Sequence, residues 1–242
     1  MVGVVTGSNS LIAVPVMFEF GIDARVAVAT NMFGLTFMAV GGTLPFLGQG
    51  TIERRRLPAL VALTLLGSVA GALLLLVIPN RALPLIISAS MIAVALFTIF
   101  KRGAGVIPAE GEPSRAALWG AYALVFALGV YGGFFSGGYV TMLTALFVGL
   151  LRMTFVEAVS TTKLVNIFSS LVATVVFMAR GLVDYKLGLL LGLAMFAGAF
   201  FGARVTLRLN NLWIRRVFLG TVILLAMKIL LYDFLWKGMM QG

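Results

Sequence analysis

The sequence contains neither cysteine nor histidine, and only eight of its 242 residues are Asp or Glu. Without Cys, disulfides and thiol nucleophiles are excluded; without Cys and His, the usual zinc ligands and imidazole acid–base catalysis are excluded as well. Eight carboxylates offer few further metal ligands or catalytic acids. We therefore predict that the protein is not an enzyme and that it has no catalytic residue, no metal site and no cofactor.

Charge is also scarce. Only 11% of the residues are charged, whereas 61% are hydrophobic, and the mean hydropathy is +1.11. An average soluble domain has about 25% charged residues, which it needs to cover its core with a polar surface. This chain lacks the residues for such a surface, and a lipid bilayer is the solvent that makes one unnecessary. The composition predicts an integral membrane protein.

The charge that is present is mainly positive, with a formal net charge of +10. Lys and Arg lie in short loops between apolar runs, a pattern that sets the orientation of membrane proteins. Nucleic-acid binding would instead need a basic face with interleaved aromatic residues, and the sequence has none. We predict a lipid bilayer as partner, and no nucleic acid.

Apolar runs of about 20 residues, the length that spans a bilayer as a helix, recur along the chain. They cover residues 26–48, 57–78, 82–100, 155–178, 187–207 and 213–235. A shorter run, 2–20, is interrupted by the polar residues 6–10. The sequence therefore predicts an all-α membrane protein with several spanning helices.

Residues 116–151 form an apolar run that is too long for one span. As a single helix it would be over 50 Å long (about 1.5 Å per residue), against a hydrocarbon core of about 30 Å. Its middle, residues 132–138, contains four glycines, which disfavour a continuous helix. We predict two short helices around a glycine-rich break, arranged as a re-entrant hairpin.

The chain contains an internal repeat. A polar linker, residues 103–115, separates a first repeat, 1–102, from a second, 116–242. A shift of 131 positions aligns the two without a gap. Glycines and loop residues coincide at this shift, which chance similarity between apolar helices does not explain: Gly7 with Gly138, Ala27-Val28 with Ala158-Val159, Thr30 with Thr161, Gly50 with Gly181, Gly67 with Gly198, Gly71 with Gly202, and Asn80 with Asn211.

The repeats are predicted to be inverted. A hairpin returns the chain to the side it left and three spans follow, so the second repeat begins on the opposite side from the first. Placing Arg54, Arg55 and Arg56 in the cytoplasm then satisfies the positive-inside rule, and inverted repeats are common in secondary transporters. The counterpart of 116–131 would precede residue 1, so we expect the native chain to start about 15 residues upstream, the length of a half-span helix.

Two groups of residues are candidates for binding a substrate. The first is the pair of helix breaks, because helix N-termini at a break offer N–H groups and a positive dipole end to anions. The alternative is that these small residues only allow close helix packing. The candidates at the breaks are Gly7, Ser8, Asn9, Ser10, Ser136, Gly137, Gly138 and Tyr139.

The second group surrounds Lys163, about eight residues or 12 Å into its predicted span. A charge at that depth is costly and usually faces a cavity or a partner. Its repeat counterpart is Met32, and no carboxylate on its own helix is placed to pair with it. An anionic ligand would suit it; the alternative is a lysine that snorkels to the interface. The candidates in this group are Thr30, Asn31, Thr161, Thr162, Lys163 and Asn166.

Several segments resemble the TauE/SafE sulfite exporter family. Residues 2–15 and 27–31 are similar to its first repeat; residues 160–166, 181–184 and 198–204 are similar to its second. The first break, residues 7–10, has fewer glycines than is typical of the family. The resemblance implies a multi-pass permease of the prokaryotic cytoplasmic membrane that moves small anions, often sulfite or organosulfonates.

The sequence therefore predicts a secondary transporter of small anions that works by alternating access around paired helix breaks. A transporter of a non-sulfur anion such as a carboxylate, and a non-transporting membrane scaffold, remain as alternatives. A coupling ion (H+ or Na+) and a homodimer are compatible with all of these observations.

Overall fold

The computed structural model of the chain describes residues 9–100 and 111–208, with backbone alone for Met91, 94–100 and 206–208. This part is helical and contains no strand. It has eight α-helices: α1 Ser10–Glu19, α2 Ala24–Thr43, α3 Leu57–Val77, α4 Leu83–Phe100, α5 Arg115–Phe134, α6 Tyr139–Leu151, α7 Phe155–Ala179 and α8 Tyr185–Arg208. Short 3-10 turns at Leu44–Phe46 and Asn80–Ala82 follow α2 and precede α4.

Five of these segments are long and apolar enough to cross a membrane: Ala24–Phe46, Leu57–Val77, Arg115–Phe134, Phe155–Ala179 and Tyr185–Val205. They confirm the predicted multi-pass membrane protein. The predicted span 82–100 is helical as α4. The predicted span 213–235 and most of the linker lie outside the described residues.

The long apolar run divides as predicted. The chain leaves the helix after Phe134 and enters another at Tyr139. The first of these helices, α5, has 20 residues and is longer than the short helix that the sequence predicted; α6 has 13. Left-handed backbone at Gly138, with φ of 76°, permits the sharp change of direction.

The hairpin packs along α3 through glycines. The backbones of α3 and α5 touch because Gly67 and Gly71 lie against residues 126–134: a Cβ on Gly67 would be 2.5 Å from the carbonyl oxygen of Phe126. The two helices run in the same direction, and Gly71 near the hairpin tip is about 21 Å along α3. The break therefore lies roughly two thirds of the way across the span.

Helices α2 and α7 form the centre of the bundle and run in opposite directions. Their first residues, Ala24 and Phe155, are 131 positions apart, which equals the shift of the sequence repeat. Thr36 of α2 and Thr174 of α7 share a hydrogen bond of 3.1 Å. Nearer the end of α2, Gly42 lies beside Lys163, which is near the beginning of α7.

The loops meet at two ends of the bundle. At one end, here called the arginine end, Arg55 and Arg56 both form ion pairs with Glu112, at 3.0 and 2.8 Å. At the other, here called the aspartate end, the Asn80 side chain donates a hydrogen bond to Asp23, and the Arg25 guanidinium donates to the carbonyl of Ile78 at 2.6 Å. Residues 50–56, Glu112 and the start of α7 belong to the arginine end.

Helix α7 begins with a capping box. The Thr154 hydroxyl accepts a hydrogen bond from the Glu157 N–H, and the Glu157 carboxylate accepts one from the Thr154 N–H at 2.8 Å. We expect Thr154→Ala to lower the free energy of unfolding by about 1 kcal/mol, the usual value for such a cap. Thermal unfolding in detergent measures this loss. Thr154→Ser, which keeps the hydroxyl, should retain most of the stability of the wild type.

Candidate functional site

The buried face of α7 carries a line of polar side chains across the bundle. Lys163, Asn166, Ser170 and Thr174 recur at helical spacing, and all are buried. Buried polar groups in a membrane span are costly and usually face a partner or a pathway. Ser160, Thr161, Thr162 and Ser169, elsewhere around α7, are buried as well.

Lys163 is fully buried, with no exposed side-chain surface. Its aliphatic stem passes beside Gly42 of α2, where a Cβ would be 3.5 Å from the lysine Cδ and 3.6 Å from Ala199 of α8. Both distances are ordinary van der Waals contacts, so the stem packs against α2 at Gly42. Within residues 9–100 and 111–208, no group forms a hydrogen bond with the Nζ atom. Lys163 is therefore held inside the bundle and does not reach the surface.

Two neighbours of Lys163 offer further polar atoms. The Asn166 side-chain oxygen, one turn further along α7, is buried and has no partner in the described part. The Thr162 hydroxyl accepts a hydrogen bond of 3.4 Å from Thr144 of α6. This contact joins α6, which starts at the glycine-rich break, to α7 one residue before the lysine. Amine, amide and hydroxyl groups therefore lie along one buried face.

The first repeat forms a corresponding contact between α1 and α2. The Asn31 amide, whose repeat counterpart is Thr162, donates a hydrogen bond of 2.9 Å to Ser10. The Asn31 oxygen has no partner within the described residues. The Asn9 amide donates to the sulfur of Met38 at 3.3 Å. Gly7 and Ser8, the other candidates at this break, lie outside the residues that the structure describes.

The break between α5 and α6 is tightly built. Ser136 has a φ of 65°, a left-handed conformation that is uncommon for a residue other than glycine. The Tyr131 hydroxyl donates a hydrogen bond of 2.5 Å to the carbonyl of Gly137. A Cβ on Gly137 would be 2.6 Å from Leu11 of α1, so this break lies directly against the beginning of α1.

Tyr139 brings together a hydroxyl cluster that the sequence did not predict. Its side chain is fully buried, and its hydroxyl lies near Thr64 and Ser169, although it forms no hydrogen bond among the described residues. The Ser169 hydroxyl is 2.6 Å from that of Ser68. Thr64 and Ser68 come from α3, which is apolar enough that sequence patterns gave no reason to select them.

Thr30 and Thr161 are also buried, but the structure gives their hydroxyls partners. The Thr30 hydroxyl accepts a hydrogen bond from the N–H of Asp184 at 3.0 Å. The Thr161 hydroxyl accepts one from the N–H of Glu53 at 3.1 Å. These two predicted candidates therefore hold loops of the opposite repeat, whereas Lys163 and Asn166 keep polar atoms that have no partner among the described residues.

A cavity of about 400 Å³ lies between α1, α2 and α8. The cavity lies against α8 where α5 lies against α3, the repeat counterpart of α8. On α3, Gly67 meets the backbone of α5. On α8, the counterpart Gly198 has no atom within 4 Å among the described residues. Ala199, which adjoins the Lys163 stem, forms part of the cavity wall. The cavity is lined by Asn9, Ile12, Ala13, Val16, Met38, Leu191, Ala194, Met195, Gly198 and Ala199.

Spanning helices, a hairpin that breaks inside the bundle and a buried amine with no partner in the described part of the chain define a class: multi-pass membrane transporters. The particular family follows from comparison with known sequences. The family described as sulfite exporter TauE/SafE matches residues 1–229. The chain belongs to this family and is a membrane transporter.

Its bacterial relatives have similar length. The chain is 28% identical over 226 residues to a probable membrane transporter protein, ORF9, of Sinorhizobium sp., covering 93% of this chain and 86% of the relative. It is 26% identical over 235 residues to the probable membrane transporter protein YfcA of Escherichia coli K12, covering 95% and 84% respectively. No solved structure matches the chain.

Proposed function

We propose that the protein is a secondary transporter of a small anion, a sulfur oxyanion or an organosulfonate, and that the anion binds at Lys163. The observation that carries the proposal is the fully buried Nζ atom without a partner in the described part of the chain. A charged side chain at the centre of a membrane helix costs about 2.5–3.5 kcal/mol on insertion scales. A bound anion would offset that cost.

The chemistry around Lys163 favours an oxyanion over a cation. The amine supplies three N–H donors, and the Thr162 hydroxyl and the Asn166 amide can add further donors from the same helix. Hydrogen bonds from a charged donor to an anionic oxygen are about twice as strong as neutral ones. The sulfur-containing substrate class comes from the name of the matching family; a carboxylate would satisfy the same donors.

The break at residues 135–138 is proposed to complete this site. Helix α6 begins there, at Tyr139, and its N-terminal end favours negative charge. The contact between Thr144 and Thr162 places α6 next to the lysine-bearing helix. Gly7 and Ser8 would contribute the equivalent break from the first repeat.

Alternating access between inverted repeats is the mechanism we propose. Two observations support it. The repeat-related helices α2 and α7 run in opposite directions, and Thr30 and Thr161 each bind a loop of the other repeat. A two-fold axis in the membrane plane produces both. We further propose a bacterial inner-membrane location with the arginine end, which carries Arg54, Arg55 and Arg56, in the cytoplasm.

A thermal-shift screen of the purified protein tests the substrate class. Sulfite, sulfate, thiosulfate, taurine, sulfoacetate and simple carboxylates are each added to protein in detergent. At 100 times its dissociation constant a ligand adds about 2.7 kcal/mol to the stability of the folded state, so the true substrate class should raise Tm by several degrees. Stabilisation by carboxylates alone would move the assignment to that class, and no stabilisation by any anion would contradict the proposal.

A further inference from the structure

Two loops of the same design close the two ends of the bundle. The arginine-end loop, residues 50–53, and the aspartate-end loop, residues 181–184, are repeat counterparts. Each begins with a glycine in a left-handed conformation, Gly50 with φ of 69° and Gly181 with φ of 65°, which favours glycine over any residue with a Cβ. Each ends with an acidic residue, Glu53 or Asp184.

The acidic residue of each loop makes two contacts of different kinds. Its carboxylate accepts a hydrogen bond at the start of the next helix: Glu53 from the Arg56 N–H at 2.9 Å, and Asp184 from the Leu187 N–H at 3.0 Å. Its own N–H donates to the buried threonine of the other repeat. The carboxylate of each acidic residue thus holds it to its own repeat, whereas its N–H bonds to the opposite repeat.

These interrepeat contacts lie on either side of Lys163 and the polar face of α7. Thr161 is two residues before Lys163, toward the arginine end, where Ser160 also donates a hydrogen bond of 2.6 Å to the carbonyl of Thr51. Thr30 lies toward the aspartate end, beyond the contact between Thr36 and Thr174. Both threonines are fully buried, and so are Lys163, Asn166 and Ser170 along α7.

We infer that the hydrogen bonds Thr161–Glu53 and Thr30–Asp184 are the closing contacts of two gates, one for each side of the membrane. Opening the arginine end breaks the first bond while the second persists, and opening the aspartate end does the reverse. Because each bond joins the two repeats, a relative movement of the repeats that lengthens one can leave the other intact. The inference rests on the alternating access proposed above, and assigns these threonines to gating instead of substrate binding.

The absence of cysteine makes the inference directly testable. Ser170→Cys places one thiol in the middle of α7, where the native hydroxyl bonds to carbonyls of its own helix, those of Asn166 and Ile167. The protein is reconstituted in vesicles of known orientation, and a charged, membrane-impermeant methanethiosulfonate is added to one face at a time. The rate of thiol labelling from each face reports which end is open.

Removing one closing contact should open one end. In the Ser170→Cys background, Thr161→Val is expected to raise the labelling rate from the arginine-end face by roughly threefold to tenfold, the change expected for one neutral hydrogen bond, with no rise from the other face. Thr30→Val should do the same from the aspartate-end face alone. Thr161→Ser and Thr30→Ser, which retain the hydroxyl, should label like the parent.

Thr36→Val is the matched control, because it removes a hydrogen bond between the same two central helices without touching either loop. It should leave both rates unchanged. Equal acceleration from both faces, or no acceleration in either valine variant, would overturn the gate assignment. Labelling needs no substrate, so the two proposals can fail separately. If the valine variants label as expected but the protein transports no anion, the proposed substrate is contradicted and the gate assignment is retained.

Discussion

Replacing Lys163 with methionine should reduce anion transport at least about 10- to 150-fold and should also make the protein more stable to heat. The loss follows from the removal of a charged hydrogen-bond donor, worth about 1.5–3 kcal/mol. The gain follows because the Nζ atom is buried without a partner among the described residues, so its removal eliminates a desolvation cost. The repeat itself supports the substitution, since Met32 occupies the counterpart position.

Substrate flux into proteoliposomes and thermal unfolding in detergent measure the two effects. Lys186→Met is the matched control: it removes the same charge from an exposed position at the aspartate end, and should change neither quantity appreciably. A Lys163→Met protein that transports at the rate of the wild type would exclude Lys163 from the site. A variant that is both inactive and less stable would show that the lysine has a structural role instead.

The spanning helices could be predicted because bilayer thickness and backbone hydrogen bonding leave few alternatives. Apolar length alone located α2, α3, α7 and α8. The break after Phe134 could be predicted because residues 132–138 contain four glycines and because the apolar run 116–151 is too long for one span. The length of α5 was predicted less well, since its end depends on how closely its glycines approach α3, and that distance is a tertiary property.

The candidate site was only partly accessible from the sequence. Lys163 stood out because charge is rare in an apolar span, and the structure buries it. Thr30 and Thr161 were also predicted to bind the substrate, because nothing in the sequence indicates the partner of a buried hydroxyl. Their partners are the N–H groups of Asp184 and Glu53, more than a hundred positions away.

The hydroxyl cluster at Tyr139 illustrates the opposite case. Thr64 and Ser68 each interrupt a run of apolar residues in α3, and single hydroxyl residues are common in membrane helices because they can bond to their own backbone. Their significance arises only from α3 packing beside α7, where Ser68 meets Ser169. No periodicity in either segment specifies that pairing.

Adding one methyl group at Gly71 or Gly67 should disrupt the hairpin. A Cβ on Gly67 would be 2.5 Å from the Phe126 carbonyl oxygen and 2.9 Å from the Val130 nitrogen, and one on Gly71 would lie closer still to the Val130 carbonyl. These neighbours are backbone atoms that cannot turn away, so α5 as a whole must move. Overpacking of this kind costs about 1–3 kcal/mol per site, occasionally more, and Gly71→Ala should show the larger loss.

The repeat offers the matched control in Gly198, the counterpart of Gly67 and a residue with no atom within 4 Å in the described part of the chain. Gly198→Ala should be neutral or stabilising by up to about 1 kcal/mol, because alanine favours helix more than glycine does. Thermal unfolding of Gly67→Ala, Gly71→Ala and Gly198→Ala under one condition compares the three. Losses of equal size at all three positions would mean that the glycines act through helix propensity, or that Gly198 has an unidentified neighbour. Close approach of α5 to α3 would then not distinguish the two repeats. A loss confined to Gly67 and Gly71 would establish that the repeats, alike in sequence pattern, differ in whether this helix face is in contact.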